Sequence, residues 1–340
     1  MRWLLAVCAL GACGDNGNHS DAGDGLRDTP IDGDPNNPAT LLDTGLCTDA
    51  ACTQIAPGIK AYKPRFELWA DGATKRRWIY LPPGTQINTS DMDYWQFPVG
   101  TKLWKEFAVG GTRIETRLVM RIGAGDTMAD WFYVAYVWNA TQDATTPEPF
   151  GVVDALGTPH DVPSRLMCRG CHENLKPSRV LGFSALQLDF DNPDPDELDL
   201  PELVAQGLLT NPPSGARSGS FPLPGDTTYQ QPALGYMHAN CGHCHNPTSN
   251  VFLNNTPMKL RLTVGNLGQL TSTEPYTTAV NQNGKAIGGL MKIVDPNKPD
   301  MSIMIYRLES TNVSEKMPAL GTEMLDPTGD TTLRDWINHL

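Results

Sequence analysis

The chain reads CRGCH from Cys168 to His172 and CGHCH from Cys241 to His245. Each stretch sets two thiols one helical turn apart and puts an imidazole directly after the second. C-x-x-C-H is the attachment signature of c-type haem. Thiols at that spacing reach two vinyl groups on one edge of a porphyrin, and the adjoining histidine then lies under the iron. A four-cysteine zinc site is the main alternative, but its paired ligands normally lie nearer one another than the 69 residues between Cys171 and Cys241. A redox dithiol would follow a strand in a βαβ unit, whereas the second motif follows a Pro/Gly loop and a short helical stretch. Neither alternative requires His172 or His245. The expectation is two covalently bound haems c, attached at Cys168, Cys171, Cys241 and Cys244, with His172 and His245 as iron ligands.

A second axial ligand has to project across the open face of the porphyrin from a loop. Met317, in SEKMPALG, stands between two helical patterns and is stiffened by the proline after it, which makes it the candidate for the second haem, ahead of Met324. Met301 and Met304 belong to a helix stripe, and Met258 lies in the strand-like MKLRL. No methionine occurs between His172 and Met237. For the first haem His160, in the proline-restrained GTPHDVPS, leads over Met237 and His238, with an open or water-bound iron as the other choice. His243 lies inside its own motif and cannot fold back onto the same iron. His339, at the C-terminus, reads as a surface residue.

The first residues, MRWLLAVCALGACGDNG, carry one cation and then an apolar run too short to span a bilayer, the pattern of a signal peptide. Leu10 to Cys13 resembles the bacterial lipobox, which implies lipidation at Cys13. Residues 14 to 40 hold six Asp, five Gly and little apolar surface, so they are expected to form a tether. His19 lies within it. Export permits a disulfide between Cys47 and Cys52. A net charge of −12 and the lack of any Lys/Arg-rich run argue against nucleic acid and against an anionic lipid surface as partners.

From about 60 to 145 the hydrophobic period is two. TRIETRLVMRI sets Ile114, Thr116, Leu118, Met120 and Ile122 on one face against Arg113, Glu115, Arg117 and Arg121, a half-buried strand. WFYVAYVW, apolar on both faces, reads as a central strand, with turns at PPG, GG and GAGD. Six of the eight tryptophans fall between Trp69 and Trp138, at spacings that suit core filling. An antiparallel sandwich or partial barrel is expected. After Gly151 short helices alternate with Pro/Gly loops: Pro201 starts one and Gly207 ends it, and amphipathic stripes run through Met301, Met304, Ile305 and Leu308 and through Leu333, Trp336, Ile337 and Leu340.

The order CGHCH, helix, KMPALG, helix with DWI resembles a class I cytochrome c domain, whose terminal helices pack together and whose Met-Pro loop supplies the sixth ligand. The 72 residues from His245 to Met317, with a strand-like insert near 257 to 270, depart from that pattern. Residues 60 to 340, with WIYLPPGT, WQFPVGTKLWKEF and AYVWN, also resemble an uncharacterised group of exported bacterial dihaem cytochromes. The fold expected is α+β and multidomain: a signal peptide (1–12), an Asp/Gly-rich tether (13–45), an antiparallel β domain (46–150), a first haem segment (151–228) and a mainly helical, cytochrome c-like second haem domain (229–340). The function expected is single-electron transfer in the bacterial cell envelope. The protein would be lipid-anchored at the periplasm or cell surface, with redox proteins as partners. A dihaem peroxidase-type oxidoreductase is the competing reading, and a β-domain binding module with accessory haems is the third.

Overall fold

The structure is a computed structural model that describes residues 37–214, 219–254 and 256–340. The expected signal peptide, Cys13 and the tether up to residue 36 lie outside the described residues.

Seven strands form one sheet: β1 (Lys60–Tyr62), β2 (Thr74–Tyr80), β3 (Lys102–Val109), β4 (Thr112–Arg121), β5 (Trp131–Trp138), β6 (Thr145–Glu148) and β7 (Glu197–Leu198). Their order is β6-β5-β4-β3-β2-β1-β7, antiparallel throughout except for β1 with β7. The β3–β4 hairpin turns on Gly110 and Gly111, both at positive φ, as a two-residue turn between Val109 and Thr112 demands.

Alternation then sorts the side chains onto two faces. One face lines up Trp78, Trp104, Leu118 and Val134 in register, and Leu41 and Leu46 pack on it. The Trp104 Nε1–H donates to Thr44 Oγ1 at 3.0 Å and the Tyr136 hydroxyl to the Pro38 carbonyl at 2.9 Å. Residues 37–45, at the end of the expected tether, are therefore part of the packed body. The other face lines up Ile79, Leu103, Val119 and Tyr133 and packs against Phe183, Leu188, Leu198 and Leu200. Of the six tryptophans from Trp69 to Trp138, five, at 78, 95, 104, 131 and 138, are buried core residues.

The described residues also form eight helices: α1 (Arg165–His172), α2 (Ala185–Leu188), α3 (Leu200–Ala205), α4 (Gln230–Asn240), α5 (Asn250–Asn254), α6 (Glu274–Ala279), α7 (Ile303–Glu309) and α8 (Pro327–Asn338). The hairpin β8 (Asn283–Ile287) and β9 (Leu290–Lys292) lies among them. Helix α4 crosses α8 so closely that a Cβ on Gly329 would stand 2.2 Å from the Tyr236 hydroxyl. Around that crossing Leu234, Met237, Leu262, Ile305, Trp336 and Ile337 form a second core.

The expected fold is corrected in both parts. In place of an antiparallel sandwich or partial barrel there is a single mixed sheet, and its edge strand β7 comes from the segment assigned to the first haem. The region after Gly151 is not a mainly helical, cytochrome c-like unit. Its longest helix, α8, has 12 residues, and the rest are separated by coil, 3-10 turns and the hairpin. Prolines at 193, 195, 222, 224, 257, 296 and 299 deny amide donors along these stretches and stop a helix from extending. The strand-like segment near 257 to 270 has no strand partner; the Leu260 amide donates to the His245 carbonyl at 2.8 Å. Strand β4 is half-buried as expected, with Ile114, Thr116, Leu118 and Met120 buried and Arg113, Arg117 and Arg121 partly exposed, but Glu115 on the charged face has no solvent exposure.

Because Leu41 is 1% exposed in the tryptophan-rich core, Leu41→Ala is expected to cost about 2–4 kcal/mol in urea unfolding. A change under about 0.5 kcal/mol would mean that residues 37–45 do not pack on the sheet.

Candidate functional site

The first motif is helical because α1 has a proper start: the Ser164 hydroxyl accepts from the Met167 amide at 3.2 Å. Cys168 and Cys171 then fall one turn apart, and His172 closes the helix. Helix α1 lies against β5, where Arg165 Nε donates to the Tyr133 carbonyl at 2.9 Å. His172 sits 5.0 Å from the Tyr133 ring. Its Nδ1–H donates to the Arg179 carbonyl at 2.6 Å, which leaves the Nε2 lone pair available to a metal. Burial pushes the His172 pKa down to about 4, so the imidazole is neutral near pH 7.

The second motif is a turn that continues α4. The amides of Cys244 and His245 both donate to the Cys241 carbonyl. Gly242 is required there, because a Cβ would meet the His238 carbonyl at 2.7 Å and the Arg261 Cα at 2.8 Å. His245 is buried and its pKa is also pushed down to about 4, but its Nδ1 has no hydrogen-bond partner. Burial raises the thiol of Cys168 to about 11 and that of Cys241 to about 12. All four motif cysteines are free thiols, while Cys47 and Cys52 form a disulfide.

The two motifs meet. The Cys244 thiol hydrogen-bonds to Cys171, and so does the His243 side chain, which favours ionisation of Cys171 over Cys244. Behind them Asn246 Nδ2 donates to the carbonyls of Asn174, Gly242 and His243 at 2.9–3.0 Å, and the Lys176 amide donates to Thr248 Oγ1. These residues directly follow each motif, so the two segments are tied at their ends.

A cleft of about 260 Å³ opens between α1 and the sheet, just under the roughly 300–1,000 Å³ of ordinary small-molecule sites. Cys168, Cys171, His172 and His243 line it with Leu103, Phe107, Tyr133 and Leu320, and Lys105, Arg117 and His160 add polar groups. Leu320, from the loop after Met317, comes so near α1 that a Cβ on Gly170 would stand 2.7 Å from its Cδ1. Met317 itself is half-buried, its amide bound to the Arg307 carbonyl at 2.8 Å, and the Arg307 charge is felt at His245.

The other candidates are placed differently. His160 lines the cleft, but its Nε2–H is committed to Glu115 Oε1 at 2.7 Å, so only Nδ1 is left to face a ligand. His238 Nδ1 accepts from the Leu262 amide at 3.2 Å, which fixes the proton of the neutral ring on Nε2 and withholds both nitrogens from a metal. Met237 is fully buried in the second core, Met324 is exposed, and His339 stacks on Tyr229. Sequence reasoning missed His243, which faces the other motif, and the charged side of the cleft. The signal for the latter was Lys105 sharing one strand face with Leu103 and Phe107.

Among the described residues no group of three or more His, Cys, Asp or Glu side chains is arranged to hold a metal ion, and no helix is long and apolar enough to cross a membrane. Comparison with family models, curated proteins and solved structures finds no match to this chain.

Glu115 binds both His160 and Arg117. Burial alone would raise its pKa, but these partners outweigh burial and hold it below the ordinary 4.5. Removing one member of such a buried cluster leaves a cation uncompensated, so Glu115→Gln is expected to cost roughly 3 kcal/mol at neutral pH. A depressed carboxylate contributes stability that is in place above its ordinary pKa and lost as pH falls through the folded value. The gap between wild type and Glu115→Gln should therefore narrow in denaturant curves taken below about pH 4. A gap unchanged with pH would show that Glu115 is not ionised.

Proposed function

We propose that the chain is a dihaem c-type cytochrome that passes single electrons between redox partners in the cell envelope. The observation that carries this reading is His172: its Nδ1–H is given to a backbone carbonyl and its Nε2 is free, beside two free thiols on the wall of a mostly apolar cleft. Cys168 and Cys171 would anchor one haem and Cys241 and Cys244 the other, with His172 and His245 as imidazole donors to iron and Met317 as a thioether donor for the second. When bound, such a group supplies a ferric/ferrous couple. The chain's own part is to anchor, to exclude water and to set the local field. Leu103, Phe107 and Tyr133 supply the apolar wall. Met317 is a thioether donor of the kind that favours the reduced state.

Full-length protein is expected to keep its haem through acid and organic solvent, and Cys241→Ala with Cys244→Ala should leave one haem equivalent of two by pyridine haemochrome assay. Haem extracted completely from wild type, or zinc in its place, sinks the reading.

One observation favours an enzyme as the second reading. His160 and Arg117, both held by Glu115, line the cleft beside His172, and an imidazole with a guanidinium can move a proton and hold an anion at a reacting ligand. Carbon monoxide binding at the first haem together with turnover of peroxide would decide for it, and the absence of both would decide for the carrier.

Tethering through Cys13 belongs to the same proposal and rests on the LGAC sequence. Cys13→Ser is expected to abolish incorporation of labelled palmitate and to move the protein into the soluble fraction. Unlabelled wild type would remove the anchor from the proposal.

A further inference from the structure

The face of the sheet that looks into the cleft carries three cations in one row. Strand register sets Arg77 opposite Lys105 and Lys105 opposite Arg117. Like charges directly opposite on neighbouring strands repel, and the two outer members are neutralised. Arg77 donates to Glu67 Oε2 at 3.1 Å, and Arg117 to both oxygens of Glu115. Lys75, on the same face, shares Glu67 at 3.7 Å. Lys105 has no carboxylate within ion-pair distance among the described residues; its ammonium lies 4.8 Å from the centre of the Phe107 ring. Burial, with Arg77, Lys75 and Arg117 adding to it, pushes the Lys105 pKa well down. A buried excess of positive charge is relieved either by losing a proton or by gaining an anion.

There is room for the anion. Lys105 lines the 260 Å³ cleft together with Arg117, and it also lines a smaller cavity of about 40 Å³ that Arg77 shares. Lys105 and Arg117 thus line the same opening as Cys168, Cys171 and His172, with Arg77 behind Lys105 on the smaller cavity. The Arg117 charge reaches the two thiols, and that of Lys105 reaches His172. A tetrapyrrole held through its vinyl edge brings carboxylates on the edge away from the thiols, and Lys105 is the cation lining the cleft that has no carboxylate partner among the described residues.

We propose that Lys105, flanked by Arg77 and Arg117, is a carboxylate-binding site in the cleft, and that its occupant is a propionate of the haem attached at Cys168 and Cys171. This rests on the dihaem reading. Lys105 is a positioning residue: it holds one side chain of the group and adds a positive charge beside it.

The test uses full-length, haem-loaded protein and compares Lys105→Met with Lys105→Arg. Lys105→Met removes a half-buried charge that has no carboxylate partner among the described residues and should fold about as well as wild type. Haem content is counted by pyridine haemochrome, and the midpoint potentials are read by spectroelectrochemical titration. The expected result is two haems in all three proteins, a fall in the first haem's potential in Lys105→Met because a cation near the iron disfavours the ferric state, and little change in Lys105→Arg. Two haems with both potentials unmoved in Lys105→Met would overturn the site while leaving the dihaem reading intact. Protein without covalent haem would remove that reading and the propionate with it. Benzoate supplies the other arm: a rise in wild-type melting temperature that Lys105→Met loses, with potentials unmoved, assigns the site to a soluble carboxylate and overturns the propionate.

Discussion

Glu115 sits in the middle of β4 with no solvent exposure and both oxygens taken, one by Arg117 and His160, the other by Arg117. Burying a carboxylate costs several kcal/mol unless cations and donors surround it. That requirement orders the neighbourhood. His160 has to come in from the loop before α1, and Val152 pairs with Val162 across that loop to bring it there. Helix α1 starts three residues after that pairing, so the position of the first cysteine pair over β5 follows from where His160 must be. The cleft is the space left between a helix fixed in this way and a sheet face that carries charge where an ordinary core would carry methyl groups.

The second motif reaches the same cleft by another route. Helix α4 is pinned by α8 through the Tyr236–Gly329 contact, and Gly242 lets the Arg261 backbone come within van der Waals distance of the turn. Asn246 then ties the turn to the residues after the first motif. Two segments 73 positions apart in sequence thus share one wall, with Cys171 and Cys244 in contact. A change in either motif is felt by the other through that contact rather than through the sheet.

How much of this was legible depended on range. Local signals read true: the period-two and all-apolar runs gave the strands β4 and β5, Gly110 and Gly111 the tight hairpin, and Leu333, Trp336 and Ile337 the buried stripe of α8. Averaged composition misled. The Asp/Gly bias up to residue 40 extended the expected tether over Leu41 and Thr44, which the sheet buries. Amphipathic stripes of one or two turns were legible as helices, but nothing in them says that the helices stay short and never assemble into a helical domain. Alternation in β4 showed which side chains share a face and was silent on what covers that face. The pairing of Glu115 with His160, 45 residues away, is therefore absent from the local pattern.

The two histidines that end the motifs are alike in sequence and differ in setting. His172 gives its Nδ1–H to Arg179, whereas His245 Nδ1 is buried without a partner. A donated proton makes an imidazole a stronger base and fixes the ring's orientation. His172 is thus the better-oriented donor, although its open side faces a cleft where His160 Nε2 is already committed and Lys105 is the uncompensated charge. His245 lies in a drier, less charged surrounding, with Arg307 the nearby cation and the Met317 segment bound to that residue's carbonyl. One site is rigid and set in a charged wall, the other less constrained and apolar. If both carry the same group, the field around each, more than the motif that attaches it, makes them unequal.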